Sequence, residues 1–410
     1  MLDVKELRKQ FPMLNGKTMQ NKPLVFLDNA ATTFKPQCVI DEITKYYTTM
    51  TSNSHRGDYD LCYAMDQEVA KARSKVAKFI NSEVNEVIFT SGDTMGINLV
   101  AWGYGLKHLH KGDEVVISEA EHASNFIPWV KVCEYTGATI KFVPLSESGR
   151  ITSENLRKVV NKNTKVISLA QVGNVLGYVA NIKEFAKIAH EVGAIIVCDG
   201  AQSVPHMKVD FKDLDVDFLA FSAHKMCGPT GIGALIGKYN LLLDIDPILT
   251  GGGMNITFNT LCNVQPSLPP SKFEAGTEHL AGIMGFGKCI DFLTEIGIDN
   301  IQKHEKELIT YAIEKLKKNE NVIIYNEDTD TGIITFNLKN VFAQDEATLL
   351  NSKGIAVRSG LHCAKALVDY LKVSATVRMS VYLYTTKEEI DTIIDKINEG
   401  GEILDAYFSD

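Results

Sequence analysis

The chain lacks the features that mark several large classes of protein. No apolar run approaches the roughly 20 residues of a membrane-spanning helix; the longest, such as Ala194–Cys198 and Gly231–Gly237, fall far short. Positive charge is in deficit. The 42 Lys and Arg against 51 Asp and Glu leave a net charge of −9, which argues against a nucleic-acid or anionic-membrane surface. The segment from Met1 to Phe11 is charged throughout and has no apolar core followed by small residues, so it is not expected to be a signal peptide. The 8 cysteines, at positions 38, 62, 133, 198, 227, 262, 289 and 363, include no C-x-x-C pair. Neither a zinc site nor a disulfide framework is therefore expected. Most of them sit in apolar segments as small hydrophobes, and a reducing cytoplasm fits that usage. There is no internal repeat and no low-complexity tract.

What is present is a globular composition of 410 residues, 45% hydrophobic and 23% charged. That length exceeds one ordinary core, and two domains are expected. From about Leu24 to Gly237 short apolar runs alternate with amphipathic helices. Expected strands are 86–90, 113–118, 165–172, 194–198 and 217–222. Expected helices are 93–103, 124–135 with Gly137 as stop, and one capped by Asn181 that ends at Gly193. This alternation predicts an α/β fold with a largely parallel sheet covered on both faces. Ligands on such sheets bind beyond the carboxyl ends of the strands. The polar stretch 257–271, with Pro266, Pro269 and Pro270, reads as a loop. Beyond it come a long helix with Asp299 as cap, strands near 322–325 and 332–338, and an alternating strand at 377–382. The last of these places Arg378 and Ser380 opposite Val377, Met379 and Val381. Thr386 with Glu389 forms a capping box. The division expected is a large α/β domain over 20–285 and a smaller α+β domain from 1–19 and 286–410.

Four clusters fall at expected strand ends. Ser91-Gly-Asp-Thr-Met-Gly96 offers glycines and the Thr94 hydroxyl at a helix start, which suits a phosphate. Asp199-Gly-Ala-Gln202 puts a carboxylate at the end of a buried strand, where it needs a partner; a protonated pyridine would serve. Ser222-Ala-His-Lys225 sets a lysine after an apolar strand, where desolvation lowers its ordinary value of about 10.4. Glu121-His122 follows another strand. In isolation each has a bland reading, as a turn, a cap or a loop charge; the order Asp199 before Lys225, one strand apart, changes those odds.

Together these residues resemble the fold type I pyridoxal-phosphate enzymes, in the class V aminotransferase branch that holds the cysteine desulfurases. Leu27-Asp-Asn-Ala-Ala-Thr32 resembles the branch's opening segment and Ser54-His-Arg-Gly57 its active-site arm. Val357-Arg-Ser-Gly-Leu-His-Cys-Ala364 resembles the R-x-G-H-H-C-A motif of SufS-type, group II, cysteine desulfurases. The resemblance implies pyridoxal 5'-phosphate bound to Lys225, with Asp199 at the pyridine nitrogen, His122 stacked on the ring and Gln202 at the phenolic oxygen. Thr94, Ser222 and His224 would hold the phosphate. Asn174, Arg378, Arg358 and His55 would serve the substrate. Thr277, in Phe273-Glu-Ala-Gly-Thr277, would complete the site of a second subunit in a homodimer. Cys363 would take sulfur from L-cysteine as a persulfide and pass it to a small acceptor of the SufE or SufU type for iron–sulfur cluster assembly. A thiolate near a helix start with His362 adjacent is expected below the ordinary value of about 8.5.

The sequence departs from the pattern in places. Leu361 stands where the motif has its first histidine. Asp93 and Met95 replace residues more often Thr and Glu, and Gly173 replaces a serine before Asn174. A charged Asp93 is unfavourable beside a phosphate unless it points away. The rival readings are a selenocysteine lyase or cysteine-sulfinate desulfinase of the same branch and, in another class, a weakly active scaffold for cluster assembly. Retention of Lys225, Asp199, His122, Cys363 and Arg378 together speaks against the scaffold.

Overall fold

The computed structural model describes residues 2–54 and 57–400. Its centre is a 7-stranded sheet in the order 87–90, 233–237, 218–222, 195–199, 164–170, 114–118, 139–143. Gly233–Gly237 runs antiparallel to both neighbours, and the other pairings are parallel. The expected strands and their order along the chain are therefore present, with ends shifted by a residue or two.

Alternation explains the two covered faces. In Glu114–Ser118 the side chain of Val116 enters one apolar core, with Ile167, Ile196 and Leu219, while Val115 and Ile117 enter a second, with Val166, Val197 and Trp129. Burying an aliphatic side chain contributes roughly 1.5–3 kcal/mol, so a strand buried on both sides is strongly held. The first core is closed by Leu280–Ile296 packed on Asp60–Ile80. Gly287 permits the close approach, because a Cβ there would lie 3.0 Å from Ala72 Cβ.

The C-terminal part carries a 4-stranded sheet in the order 322–324, 333–338, 376–380, 358–360, antiparallel throughout. Val377, Met379 and Val381 point into its apolar core with Ile301's helix mates Leu308, Ile309, Ala312 and Leu316, as the alternation predicts. The capping box is formed: Glu389 N–H donates to Thr386 Oγ1 at 3.3 Å and Thr386 N–H to Glu389 Oε2 at 2.9 Å. Asn181 and Gly137 cap as expected.

Two expectations are corrected. The stretch 257–271 is not a plain loop: Asn255–Phe258 pairs with Val264–Pro266 as a hairpin, and its apolar side chains face outward, hiding the alternation. The helix Ile298–Leu316 starts from Gly297, at φ 83°, and Asp299 lies within its first turn. A glycine with positive φ turns the chain sharply between two helices, which an aspartate does not do readily. Among the described residues no helix is long and apolar enough to cross a membrane.

Candidate active site

The carboxyl ends of the parallel strands open on one cavity. It is lined by Asp93, Thr94, His122, Asn174, Asp199, Gln202, Ser222, His224, Lys225, Arg358 and Arg378, with Ala30, Ala31 and Ser124 among the remainder. Residues separated by up to several strands in sequence thus meet, because parallel connections return every strand end to the same edge.

The first wall is the turn before helix Asp93–His108. Gly92 at φ 146° brings the chain within reach of Ser222, and the Asp93 N–H donates to Ser222 Oγ at 2.8 Å. Thr94 Oγ1 lies 2.7 Å from Ser124 Oγ. The second wall is Asp199, to which the Ala201 N–H donates at 2.9 Å. Burial raises the Asp199 carboxyl. Burial also pulls Lys225 below its ordinary value, with Asp199 and Asp93 pushing back. His122 accepts the Ser124 N–H on Nδ1 at 3.1 Å. Burial, then Lys225, brings His122 and His224 down to about 4, so both rings are neutral near pH 7.

The third wall comes from the second sheet. Arg358 and Arg378 sit opposite each other in register. Arg378 is 1% exposed; it donates to Asn174 O at 2.8 Å and Asp28 Oδ1 at 2.9 Å. Asp28 belongs to the segment 27–32, which laces this sheet to the cavity: Asn29 donates to Ser380 O at 2.7 Å, and Thr32 to His224 O at 3.0 Å. Sequence reasoning noted the segment without assigning Asp28, and passed over Ser124. Spacing to His122 was the available signal for Ser124; nothing in the sequence pairs Asp28 with Arg378.

Cys363 is exposed beside this cavity rather than in its lining. The loop is held by the Ala123 N–H, which donates to Cys363 O at 2.8 Å, next to His122. His362 and Cys363 both have positive φ, 50° and 56°, a conformation that costs of order 1–3 kcal/mol for non-glycine residues and that surrounding contacts must offset. Arg358 Nη2 lies 3.5 Å from the Cys363 sulfur.

The expectation that His362 supports the thiolate is corrected. Its ring is buried, with Nε2 2.9 Å from Thr376 Oγ1, and burial followed by Arg378 and Arg358 brings it down to about 3. A neutral ring turned away lends no charge to the sulfur; Arg358 is the cation beside it. This depression sets a pH window. The unfolded ring binds a proton below its ordinary 6.5, the folded one only near 3, so stability is lost as pH falls through that interval. Urea midpoints measured from pH 7 down to 4 are expected to fall less steeply for His362→Gln, by up to about 1.4 kcal/mol per pH unit.

Thr277 is exposed and absent from the cavity of its own chain. His55 lies outside the described residues.

The cavity fits a polar aromatic cofactor. Asn174 Oδ1, Gln202 Oε1, Asp93 Oδ1 and Arg378 Nε are buried without partners, and all four residues line it. Buried polar atoms of this kind are rare unless something else completes them. Lysine, an acid facing it, two neutral imidazoles and a hydroxyl-bearing helix start form a donor set for an aldehyde, a ring nitrogen and a phosphate.

Residues 25–393 match the family described as aminotransferase class V. The chain belongs to that family. It is 45% identical over 408 residues to a probable cysteine desulfurase of Halalkalibacterium halodurans, spanning 99% of this chain and 100% of the relative. It is 40% identical to a cysteine desulfurase of Haloferax volcanii, spanning 98% of each. Its backbone matches the apo structure of cysteine desulfurase from Thermococcus onnurineus NA1 with a TM-score of 0.92 and 32% identity, over 97% of this chain and 98% of that one. Within the family the chain therefore sits among the cysteine desulfurases, and the α/β fold with its mostly parallel sheet is theirs.

Proposed function

We propose that Lys225 and Cys363 divide the work of a cysteine desulfurase between a base at the α-carbon and a nucleophile at the sulfur of L-cysteine. The observation that carries this reading is the placement of an exposed thiol, pinned by Ala123 and beside Arg358, at the edge of a cavity whose floor is Lys225 and Asp199. Pyridoxal phosphate, when bound, supplies an electron sink for the charge left at the α-carbon. Lys225 would hold it, Asp199 would face its ring nitrogen, and Thr94, Ser222 and His224 would bind its phosphate. Gln202 and Asn174 have free oxygens toward the cavity, and neutral His122 suits stacking and proton transfer. Arg378 and Arg358 orient the substrate carboxylate. Lys225 removes the α-proton. Cys363 then bonds to the substrate sulfur while the carbon–sulfur bond breaks; the electron pair stays on the β-carbon, which takes a proton, and return of the α-proton gives alanine. The sulfur remains as a persulfide on Cys363.

The test is a brief exposure of the cofactor-loaded enzyme to L-cysteine, with alanine quantified and the mass of the Cys363 peptide measured. Equal amounts of alanine and of one added sulfur support the reading; alanine with unmodified Cys363 removes the nucleophile. Arg378→Lys replaces a planar fork by a point charge. A lost charged hydrogen bond costs roughly 1.5–3 kcal/mol, so KM is expected to rise about 10- to 100-fold with a smaller change in kcat, read from steady-state alanine production.

The finer assignment is the SufS-type, group II, class. What supports it is the loop Val357–Ala364 with Cys363 exposed and accessible to a protein acceptor of the SufE or SufU type. A homodimer is supported by exposed Thr277 and by the outward apolar side chains Ile256, Phe258, Leu261 and Val264 of the hairpin. Sedimentation at low concentration tests it, and faster persulfide discharge on adding such an acceptor tests the partner.

A further inference from the structure

Asp93 is the cavity residue that the reaction above leaves without a role. It opens the 16-residue helix Asp93–His108, and its side chain is 5% exposed. It lines the cavity with Asp199 and Lys225. One carboxyl oxygen, Oδ1, is buried without a partner, and Asp199, equally buried, lines the same cavity close enough for the two carboxyls to repel each other. It does not point away from the site. Two carboxylates this close and out of water cannot both stay ionised, because their repulsion adds to the cost of desolvation. One proton between them removes the repulsion and leaves a single negative charge.

We propose that Asp93 is a positioning residue that shares one proton with Asp199 and, as the neutral partner, holds Asp199 as the anion facing the cofactor's ring nitrogen. The inference rests on the cofactor reading given above. The groups around the pair agree with it. Burial, then Asp199, raises Asp93 well above its ordinary value, with Glu121 adding and Lys225 opposing. Asp199 is raised by burial but drawn back by the Ala201 N–H, by Lys225 and by Asp93 itself. Asp199 accepts the Ala201 N–H, which favours its charged form, whereas Asp93 Oδ1 has no partner, so the proton is assigned to Asp93. Glu121 is itself brought to about 8 by burial, so it adds little charge at neutral pH. Of the other titratable or charged groups on the lining, His122 and His224 are neutral there, while Arg358 and Arg378 stay cationic. Where the Asp93 proton is lost as pH rises, a second negative charge is placed beside Asp199 and Lys225. That charge strengthens the hold on any proton at the ring nitrogen or at the lysine-linked nitrogen, and so perturbs the bound cofactor's absorbance.

The experiment is a pH titration of the holoenzyme's cofactor absorbance for the wild type, D93N and D93T, with D199A as a control. Asparagine keeps a neutral donor of similar size and threonine a hydroxyl, and neither ionises. The expected result is a pH-dependent step in the wild type that is absent from both variants, apart from any step common to all three proteins, while the lysine-bound chromophore is retained. Superimposable titrations of the three proteins overturn the proposal. If neither variant keeps the cofactor, infrared difference spectra decide: a protonated-carboxyl stretch present in the wild type and lost in D93T supports the shared proton, and no such difference overturns it. Failure of the underlying cofactor reading looks different, because the chromophore would then be absent from the wild type or indifferent to D199A.

Discussion

Cys363→Ala is expected to lower alanine formation from L-cysteine by about 10³-fold or more while leaving the cofactor chromophore in place. The reason is positional. Cys363 is the cysteine that the loop contact from Ala123 and the charge of Arg358 bring to the edge of the cavity. Among the other cysteines, Cys62, Cys133, Cys198, Cys227 and Cys289 are buried, Cys38 is partly so, and Cys262 is exposed in the hairpin turn. None of them lines the cavity. A thiol that cannot approach the substrate sulfur gives no rescue, since proximity supplies much of the rate. Because Cys363 is exposed, the change is expected to leave the fold's stability close to that of the wild type. Alanine release at the wild-type rate from this variant would show that sulfur leaves without the thiol.

Lys225→Ala is expected to remove the covalent cofactor chromophore and to reduce turnover by about 10⁴-fold or more. On the proposed reading two functions disappear together, the amine that binds the cofactor aldehyde and the base at the α-carbon. The neighbouring groups are less suited to replace both functions: His122 Nδ1 accepts the Ser124 N–H, and Glu121 is tied to Ser118 at 2.6 Å, Asn125 at 2.7 Å and the Ala170 N–H at 2.9 Å. Absorbance of the purified variant after incubation with pyridoxal phosphate, followed by alanine quantification, reads both losses. A retained chromophore would move the covalent attachment to another residue.

Much of the site was legible because its members stand at strand ends. Asp199, Lys225, Ser222 and His122 each follow an apolar run, and parallel connections leave such ends at one edge whatever lies between them. The resemblance of Ser222–Lys225 and Val357–Ala364 to known motifs supplied the roles. The helix caps at Asn181 and Thr386 were legible for a different reason: the bonds that make them span only three residues, so sequence distance and spatial distance coincide. The hairpin 255–266 was not legible. Its strands pair only with each other, its apolar side chains face outward, and its prolines mimic a loop. Gly297 was overlooked as the helix start because Asp299 is the better capping residue type; the sharp turn between two helices demanded a glycine first.

Adjacency in the chain misled at His362. Neighbouring residues in a loop with two positive φ angles project in different directions, and the ring went to Thr376 while the thiol stayed outside. Asp93 was visible as a departure from the family's pattern, but sequence offered only the choice between repulsion and pointing away. The structure put both carboxyls on one buried cavity, and the shared proton proposed above would resolve the conflict.

By itself, the sequence determined the α/β layering and the order of the strands along the chain, because these follow from short-range periodicity, and it put a lysine and an acid at strand ends that meet in one cavity; Cys363 was singled out by the resemblance of its loop to a known motif. Only the tertiary structure decided which side chains distant in the chain share the cavity: Arg378 against Asp28, and Asp93 with Asp199. Those pairings join segments up to 350 residues apart, and no local pattern encodes them. They are set by how the two sheets and the segment 27–32 pack together, where burial fixes distance and distance fixes charge.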